Sequence, residues 1–343
     1  MRVWFNRGYS LAPISRAMMD AEPALDVLIG LGRGHPVPSN GAETIVEPDL
    51  PPGEYVEWVR SVVMGRGIDF LIPTRCRADL LAADLPCHVH AAGSLATLDL
   101  LSDKLAFSRA TAGTSFHLPT VGISSADALK RHLEGLMVKG GGDVIASVKP
   151  RRGVNGHGYW TLRRSDPLSH IVRPDDREMR YDLYLAAARA QEQVRPMDEI
   201  VLMEYLPGPE VSFDVLAHHS RYLKSVARTK AEDGRQHVST DHRLQGAVSR
   251  LVETFGLHGV VNIQFRRDDL GQWRILEINT RPAGGVIHGE HVGAGILGDW
   301  ARLLAGTIGP EEISRPRIDV VLENRVGMVP VEGSSNQRGV VGG

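Results

Sequence analysis

Three side chains with oxygen donors, on what read as two neighbouring strands, are the first feature of this sequence that could do chemistry. Val260-Val-Asn-Ile-Gln-Phe265 and Trp273-Arg-Ile-Leu-Glu-Ile-Asn279 alternate apolar and polar residues around Asp268-Asp-Leu-Gly-Gln272. That pattern reads as a β-hairpin. Folded symmetrically, it sets Ile263 opposite Ile278 and Phe265 opposite Leu276 on one face. The other face sets Gln264 opposite Glu277 and Asn262 opposite Asn279. Oxygens from Gln264, Glu277 and Asn279 suit a hard divalent cation, Mg²⁺ or Mn²⁺, with phosphates and water completing the shell. An ordinary solvated sheet face shows the same alternation, so the hairpin alone leaves both readings open.

A second group of residues could hold anions. The strand-like run Val144-Ile-Ala-Ser-Val-Lys149 leads into Pro150-Arg-Arg-Gly-Val-Asn-Gly-His-Gly158. Gly153, Gly156 and Gly158 would let backbone N–H groups approach phosphate oxygens that side chains would obstruct. No Gly-Lys-Ser/Thr follows, so this is not a Walker loop. Only Lys104, Lys130, Lys139, Lys149, Lys224 and Lys230 are lysines, among 39 basic residues. A lysine retained in so Arg-rich a chain is a candidate for a compact point charge that guanidinium cannot imitate. Farther along, Met203-Glu204-Tyr205-Leu206 meets Pro207-Gly-Pro-Glu210. Prolines that stop a strand leave backbone donors and acceptors without ladder partners, free for a ligand.

Glu277-Ile-Asn279-Thr-Arg281-Pro-Ala-Gly-Gly285 carries the metal-facing strand into a glycine-rich turn. With this segment the chain resembles the ATP-grasp superfamily, in particular its carbamoyl phosphate synthetase large-chain-like branch of carboxylate–amine ligases. The resemblance spans roughly residues 1 to 310, with the motifs in the family's order. It implies ATP and Mg²⁺ (or Mn²⁺) as cofactors, with the metals on Gln264, Glu277 and Asn279. It implies phosphate contacts from Lys104, in the pair Asp103-Lys104, and from Lys149 under a lid containing Gly153, Gly156 and Gly158. The adenine would lie on Glu204, Tyr205 and Leu206, with the ribose hydroxyls on Glu210. Arg228 stands where the family often supplies a cation near the γ-phosphate, and Lys224 and Lys230 compete for that place. Arg281 is the expected catalytic cation and, with Gly285 and His288, the expected substrate contact. The implied reaction activates a carboxylate as an acyl phosphate and couples it to an amine, releasing ADP and phosphate. Bicarbonate chemistry of the carboxylating or carbamoyl phosphate kind is one alternative; a nucleotide-binding regulatory protein without turnover is another. His288 and His291, flanked by glycines, read as loop residues rather than a helical metal pair.

The elements needed to position these groups fit an α/β protein. Short apolar runs at Val3–Phe5, Leu25–Leu31, Ile68–Pro73 and His88–Ala91 alternate with helical stretches at Leu11–Asp20, Glu54–Met64 and Ala78–Ala83. Such a rhythm predicts a doubly wound parallel sheet in an N-terminal domain, residues 1–100. An ATP-grasp domain of two α+β subdomains would follow, a small one at 101–200 with the lid and a second at 201–325 with the metal and substrate site. Residues 326–343 read as a fraying tail. Ser94–Ala112 reads as one long helical stretch, with Ser102 a candidate cap inside it. A chain of 343 residues exceeds the size of one growing core. The formal charge of −2 gives no reason to expect nucleic acid as a partner, and two cysteines cannot build a disulfide framework. No apolar run approaches the ~20 residues of a membrane helix, and the start of the chain lacks a signal-peptide layout. The expectation is a cytoplasmic enzyme with small-molecule partners, no membrane or nucleic acid, and with a homodimer allowed.

Overall fold

The computed structural model describes residues 1–323 apart from 9, 39–40, 140–141, 154–155 and 232. The expected tail at 326–343 lies outside the described residues. The first sheet consists of β1 (Arg2–Phe5), β2 (Asp26–Leu31), β3 (Glu43–Val46), β4 (Phe70–Ile72) and β5 (His88–Val89). Its strand order is β3-β2-β1-β4-β5, parallel throughout. Alternation decides what covers it. Val3, Phe5, Val27 and Ile29 face α1 (Leu11–Ala21), whereas Trp4 and Leu28 face α2 (Pro52–Arg66). Both faces are buried, as a doubly wound sheet requires. Each fully buried large side chain contributes about 1.5–3 kcal/mol.

After α3 (Arg77–Ala82), the expected long helix is two: α4 (Leu95–Ser102) and α5 (Lys104–Ala110). The cap between them is Asp103, not Ser102. Its Oδ1 accepts from the N–H of Leu105 at 3.0 Å and of Ala106 at 3.1 Å. A carboxylate accepting two amide protons at a helix start breaks the continuous helix that apolar spacing suggests.

A second sheet follows, made of β6 (Thr120–Ile123), β7 (Val144–Pro150), β8 (Trp160–Arg163), β9 (Glu178–Arg180) and β10 (Ile200–Met203), in the order β6-β10-β7-β8-β9. Ala146, Val148, Leu162 and Leu202 bury one face against α6 (Ala126–Lys139) and α8 (Tyr181–Glu192); α7 (Ser169–Val172) is a single turn between β8 and β9.

The third sheet consists of β11 (Glu210–His218), β12 (Arg221–Lys230), β13 (Gln236–Ser239), β14 (Gly259–Arg267), β15 (Trp273–Asn279) and β16 (Asp319–Leu322). Its order is β15-β14-β11-β12-β13-β16, wholly antiparallel. Val211, Phe213, Val215, Val261, Ile263 and Phe265 bury one face against α9 (Gln245–Thr254). The opposite face divides. Leu223, Val226 and Val260 share a core with α1 and α11 (Ile296–Ala305), which joins the first sheet to the third. The rest of that face carries polar residues. The segment with His288 and His291 is helical, α10 (Val286–His291), not the expected loop; Val286 is 0% exposed in the core, and its burial outweighs the flanking glycines.

Lys224, one of the candidate phosphate contacts, belongs to this framework. It is buried, with Nζ donating to the carbonyls of Ala294 and Gly295 at 2.6 and 2.9 Å and to Asp299 Oδ2 at 2.5 Å. Removing one partner of a buried charge pair leaves the other uncompensated. Lys224→Met should therefore lower unfolding stability by about 3 kcal/mol in denaturant titrations, and adding Asp299→Leu should recover part of the loss.

Candidate active site

The polar half of the third sheet and the inner face of the second enclose a cleft of about 580 Å³, in the usual range of small-ligand sites, about 300–1,000 Å³. From the second sheet, Ser147 and Lys149 on β7 and Thr161 on β8 line it, while Ala146, Val148 and Leu162 point into the core behind. Gln264 on β14 and Glu277 and Asn279 on β15 line the opposite wall. Period-two alternation thus delivers both groups of residues from two separate sheets.

The hairpin register explains this polar wall. Asn262 pairs with Asn279, Ile263 with Ile278 and Gln264 with Glu277, as the symmetric fold predicts. Beyond Gln264 a β-bulge shifts the ladder, so Phe265 faces Ile275 rather than the expected Leu276. The extra residue re-aims a side chain: Ile275 enters the core, and Leu276 lines the cleft beside Glu277. Strict alternation could not reveal Leu276 as a site residue.

Hydrogen bonds fix which atoms face the cleft. Asn279 Nδ2 donates to Glu277 Oε1 at 2.9 Å, and Gln264 Nε2 donates to Asn262 Oδ1 at 3.0 Å. With their amide nitrogens engaged, Asn279 and Gln264 keep their oxygens for a cation, beside the Glu277 carboxylate. An oxygen-only donor set fits Mg²⁺ or Mn²⁺. Asn262, 0% exposed, is held in turn by Asp214 Oδ1 at 3.0 Å and the Phe213 carbonyl at 3.1 Å. Arg228 completes this layer, its Nε donating to Asp214 Oδ2 at 2.6 Å.

The Arg228 guanidinium is therefore buried on Asp214, outside the cleft lining, and the sequence expectation of a phosphate-facing cation is corrected to a support beneath Asn262. Its competitors do no better: Lys224 is tied to Asp299, and Lys230 is exposed at the end of β12. A Cβ added at Gly285 would stand 2.2 Å from Arg228 Nη1, so this glycine makes room for the guanidinium and lies outside the lining, as does His288 on α10.

Lys104 and Lys149 both line the cleft. Burial pulls the Lys149 ammonium below its ordinary range, and Glu277 and Glu210 offset this only in part. Burial also lowers Lys104, followed by repulsion from Lys149, against Glu277 and Asp103. Two desolvated ammonium groups near one another are costly unless an anion joins them. Asp103 places Lys104 there: its carboxyl, held down to about 2 chiefly by Arg151, caps α5 and ties it to the residue just past the end of β7. The Lys104 Nζ donates to the Gly153 carbonyl at 3.1 Å. Gly156 and Gly158 have φ of 65° and 72°, and a Cβ at Gly158 would meet Pro150 at 2.7 Å, so the turn after β7 requires glycine there.

At the hinge, the β10 ladder ends at Met203, leaving Glu204, Tyr205 and Leu206 outside it. All three line the cleft, with Glu210. Arg266, which the sequence reading overlooked although it shares a face with Gln264, fastens this segment. Its Nε donates to the Leu206 carbonyl at 2.6 Å, its Nη2 to that of Pro207 at 3.2 Å, and its Nη1 meets Glu210 at 3.4 Å. Arg281 lines the cleft and a smaller adjoining recess that also holds Arg77 from α3. Burial and the nearness of Arg281 lower Arg77, so a recess between two guanidiniums favours an anionic guest.

Replacing a desolvated ammonium with an isosteric apolar chain removes its burial cost along with its function. Lys149→Met should raise unfolding stability by on the order of 1 kcal/mol while abolishing any rise in melting temperature that ATP with Mg²⁺ gives the parent chain. A variant that is less stable, or that still responds to nucleotide, would contradict this placement of Lys149.

Known proteins give the same architecture. Residues 196–325 match a family described as ATP-grasp in the biosynthetic pathway with Ter operon. No curated protein matches the chain. Among solved structures, an L-amino acid ligase from Bacillus licheniformis superposes with TM-score 0.60 and 15% identity, covering 87% of this chain and 73% of that one. An N5-carboxyaminoimidazole synthetase from Staphylococcus aureus gives 0.59 and 13%, over 89% and 77% of the two chains. The biotin carboxylase domain of a Hydrogenobacter thermophilus 2-oxoglutarate carboxylase, in complex with MgADP and bicarbonate, gives 0.60 and 16%, over 89% and 69%. Among the described residues, no helix is long and apolar enough to cross a membrane. The chain has the ATP-grasp fold, and residues 196–325, which include Gln264, Glu277 and Asn279, match an ATP-grasp family.

Proposed function

We propose that this protein is an ATP-dependent carboxylate–amine ligase that forms ADP and phosphate. The observation that carries the reading is the opposition, across one cleft, of two desolvated lysines and an oxygen-only donor set. Lysines alone would fit any anion, and amides with a carboxylate alone would fit any hard cation. Together they match a polyphosphate that brings its own divalent ion.

Nucleotide placement follows from the lining. The adenine edge meets the backbone of Glu204, Tyr205 and Leu206, with Leu276 and Met203 as apolar surfaces for the ring, and Glu210 takes the ribose hydroxyls. Lys149, Lys104 and the amides of the lid at Gly153, Gly156 and Gly158 hold the phosphate tail. Mg²⁺ or Mn²⁺ held by Gln264, Glu277 and Asn279 would neutralise charge between the β- and γ-phosphates. Phosphoryl transfer then becomes largely positioning and electrostatics. A substrate carboxylate bound at Arg281, with Arg77 behind it, attacks the γ-phosphorus. A carboxylate oxygen–phosphorus bond forms, the bond from phosphorus to the bridging oxygen breaks, and ADP leaves. An amine attacks the acyl carbon, loses its proton and expels phosphate, leaving an amide. Arg228 and Asp214 act through Asn262 by holding Gln264 in place.

The similarity to a biotin carboxylase domain keeps bicarbonate as a second reading. Trapping separates the two: hydroxylamine converts an acyl phosphate of an organic acid into a hydroxamate, which bicarbonate cannot yield. Screening paired amino acids and small carboxylates for ADP release should find a pair that stimulates turnover and gives a hydroxamate. With that pair, Glu277→Gln should lower turnover by roughly 10²-fold or more with the fold intact. Unchanged turnover in the variant, or ADP release that only bicarbonate stimulates, would remove the ligase reading.

A further inference from the structure

Away from the nucleotide cleft, histidines gather from three parts of the chain. His218 ends β11, His219 opens the turn into β12, His258 precedes β14, and His90 follows β5. The rings of His219 and His258 stack at 4.5 Å with 13° between planes. His218 lies 4.4 Å from His219 and 5.3 Å from His258, centroid to centroid, and His90 packs against His258 at 4.4 Å. One ring nitrogen from each of His218, His219 and His258 lies within 4.8 Å of the other two. None of these residues lines the nucleotide cleft.

The backbone around them is unusual as well. His219 and Ser220 both have positive φ, 46° and 68°, at the two central positions of a tight hairpin turn where Asn-Gly is the common choice. Two L side chains in the left-handed region form an outlier that points to a local requirement. Burial first, then the neighbouring histidines, lowers His258 to about 4, and burial lowers His218. Neutral imidazoles offer lone pairs at physiological pH.

We propose that His218, His219 and His258 form a binding site for a borderline divalent transition-metal ion, Zn²⁺ being the probe, with three imidazoles and one water as ligands. An all-nitrogen set selects such an ion over Mg²⁺, which prefers oxygen. Nitrogens on a tetrahedral zinc stand about 3.4 Å apart, so the rings close by up to about 1.4 Å from 4.8 Å, a movement open to the exposed His219. The His219 N–H donates to His258 Nδ1 at 3.1 Å, which directs that lone pair toward the turn. Coordination through Nδ1 leaves the proton on Nε2, and the displaced amide sits on an exposed turn where water replaces its acceptor. The ion would pin the β11–β12 turn to the segment before β14. That segment is already bonded to the N-terminal part of the chain, by the His258 N–H to the Ala92 carbonyl at 2.9 Å. Metal binding should therefore raise thermal stability and need no nucleotide.

The test is calorimetric titration of the chelator-treated full chain with Zn²⁺ in excess Mg²⁺ and without nucleotide, followed by melting curves and the visible spectrum with Co²⁺. One equivalent should bind, raise the melting temperature and give the intense absorption of tetrahedral Co²⁺. His219→Ala, an exposed change that leaves the core intact, and His258→Ala should each weaken binding by about 10-fold or more and lose the Co²⁺ band, whereas His132→Ala on α6 should not. Absence of stoichiometric Zn²⁺ binding, or equal affinity in His219→Ala and the parent chain, would overturn the proposal.

Discussion

Everything at the cleft depends on the register between β14 and β15. Because Gln264 faces Glu277 and Asn262 faces Asn279, four polar residues share one side of a sheet whose other side is solid core. A slip by one residue would bury Gln264 and Glu277 and expose Ile263 and Ile278. The apolar side forbids that slip, since Ile263, Phe265 and Ile278 are all nearly inaccessible to solvent. Core packing thus fixes which side chains face the cleft, and the bulge after Gln264 adds Leu276 to its lining without disturbing the polar residues.

The opposite wall is built by a different device. Lys149 owes its place to alternation along β7, whereas Lys104 owes its place to a broken helix. Asp103 stops α4, caps α5 and binds Arg151 beside the lid. One buried carboxylate therefore couples the helix start, the lid and a cleft lysine. Beneath the donors, Arg228, Asp214 and Asn262 form a charged and amide layer that shares a sheet face with Gln264. The lysines that line the cleft are desolvated, and the charges behind the donors are paired with one another. That division is expected of a site preorganised for a polyanion.

Much of this was legible in the sequence, for a physical reason. Period-two alternation identified the hairpin and its donors because one face is fully buried. Glycine and proline marked the loop after β7 and the segment after β10 because few other residues tolerate those backbone positions. What escaped depends on contacts between distant segments. Leu276 is hidden by a bulge that changes the period. Asp103 outcompetes Ser102 as the cap because Arg151, far along the chain, stabilises its carboxylate. Arg228 looks like a phosphate contact until Asp214, on the neighbouring strand, is seen to hold it. His258 meets His218 and His219 only when β14 pairs with β11, and His90 joins them only when the first sheet packs against the third, so no local pattern announces the group.

The central claim is that one divalent ion and one triphosphate sit between these two walls. Crystals of the protein with a non-hydrolysable ATP analogue and Mn²⁺, located by its anomalous signal, test it most directly. The account predicts manganese bound to oxygens of Gln264, Glu277 and Asn279 at about 2.2 Å, with the Lys149 ammonium on a phosphate oxygen and the adenine against residues 204–206. Manganese away from those three side chains, or a triphosphate that leaves Lys149 without an anionic partner, would contradict it.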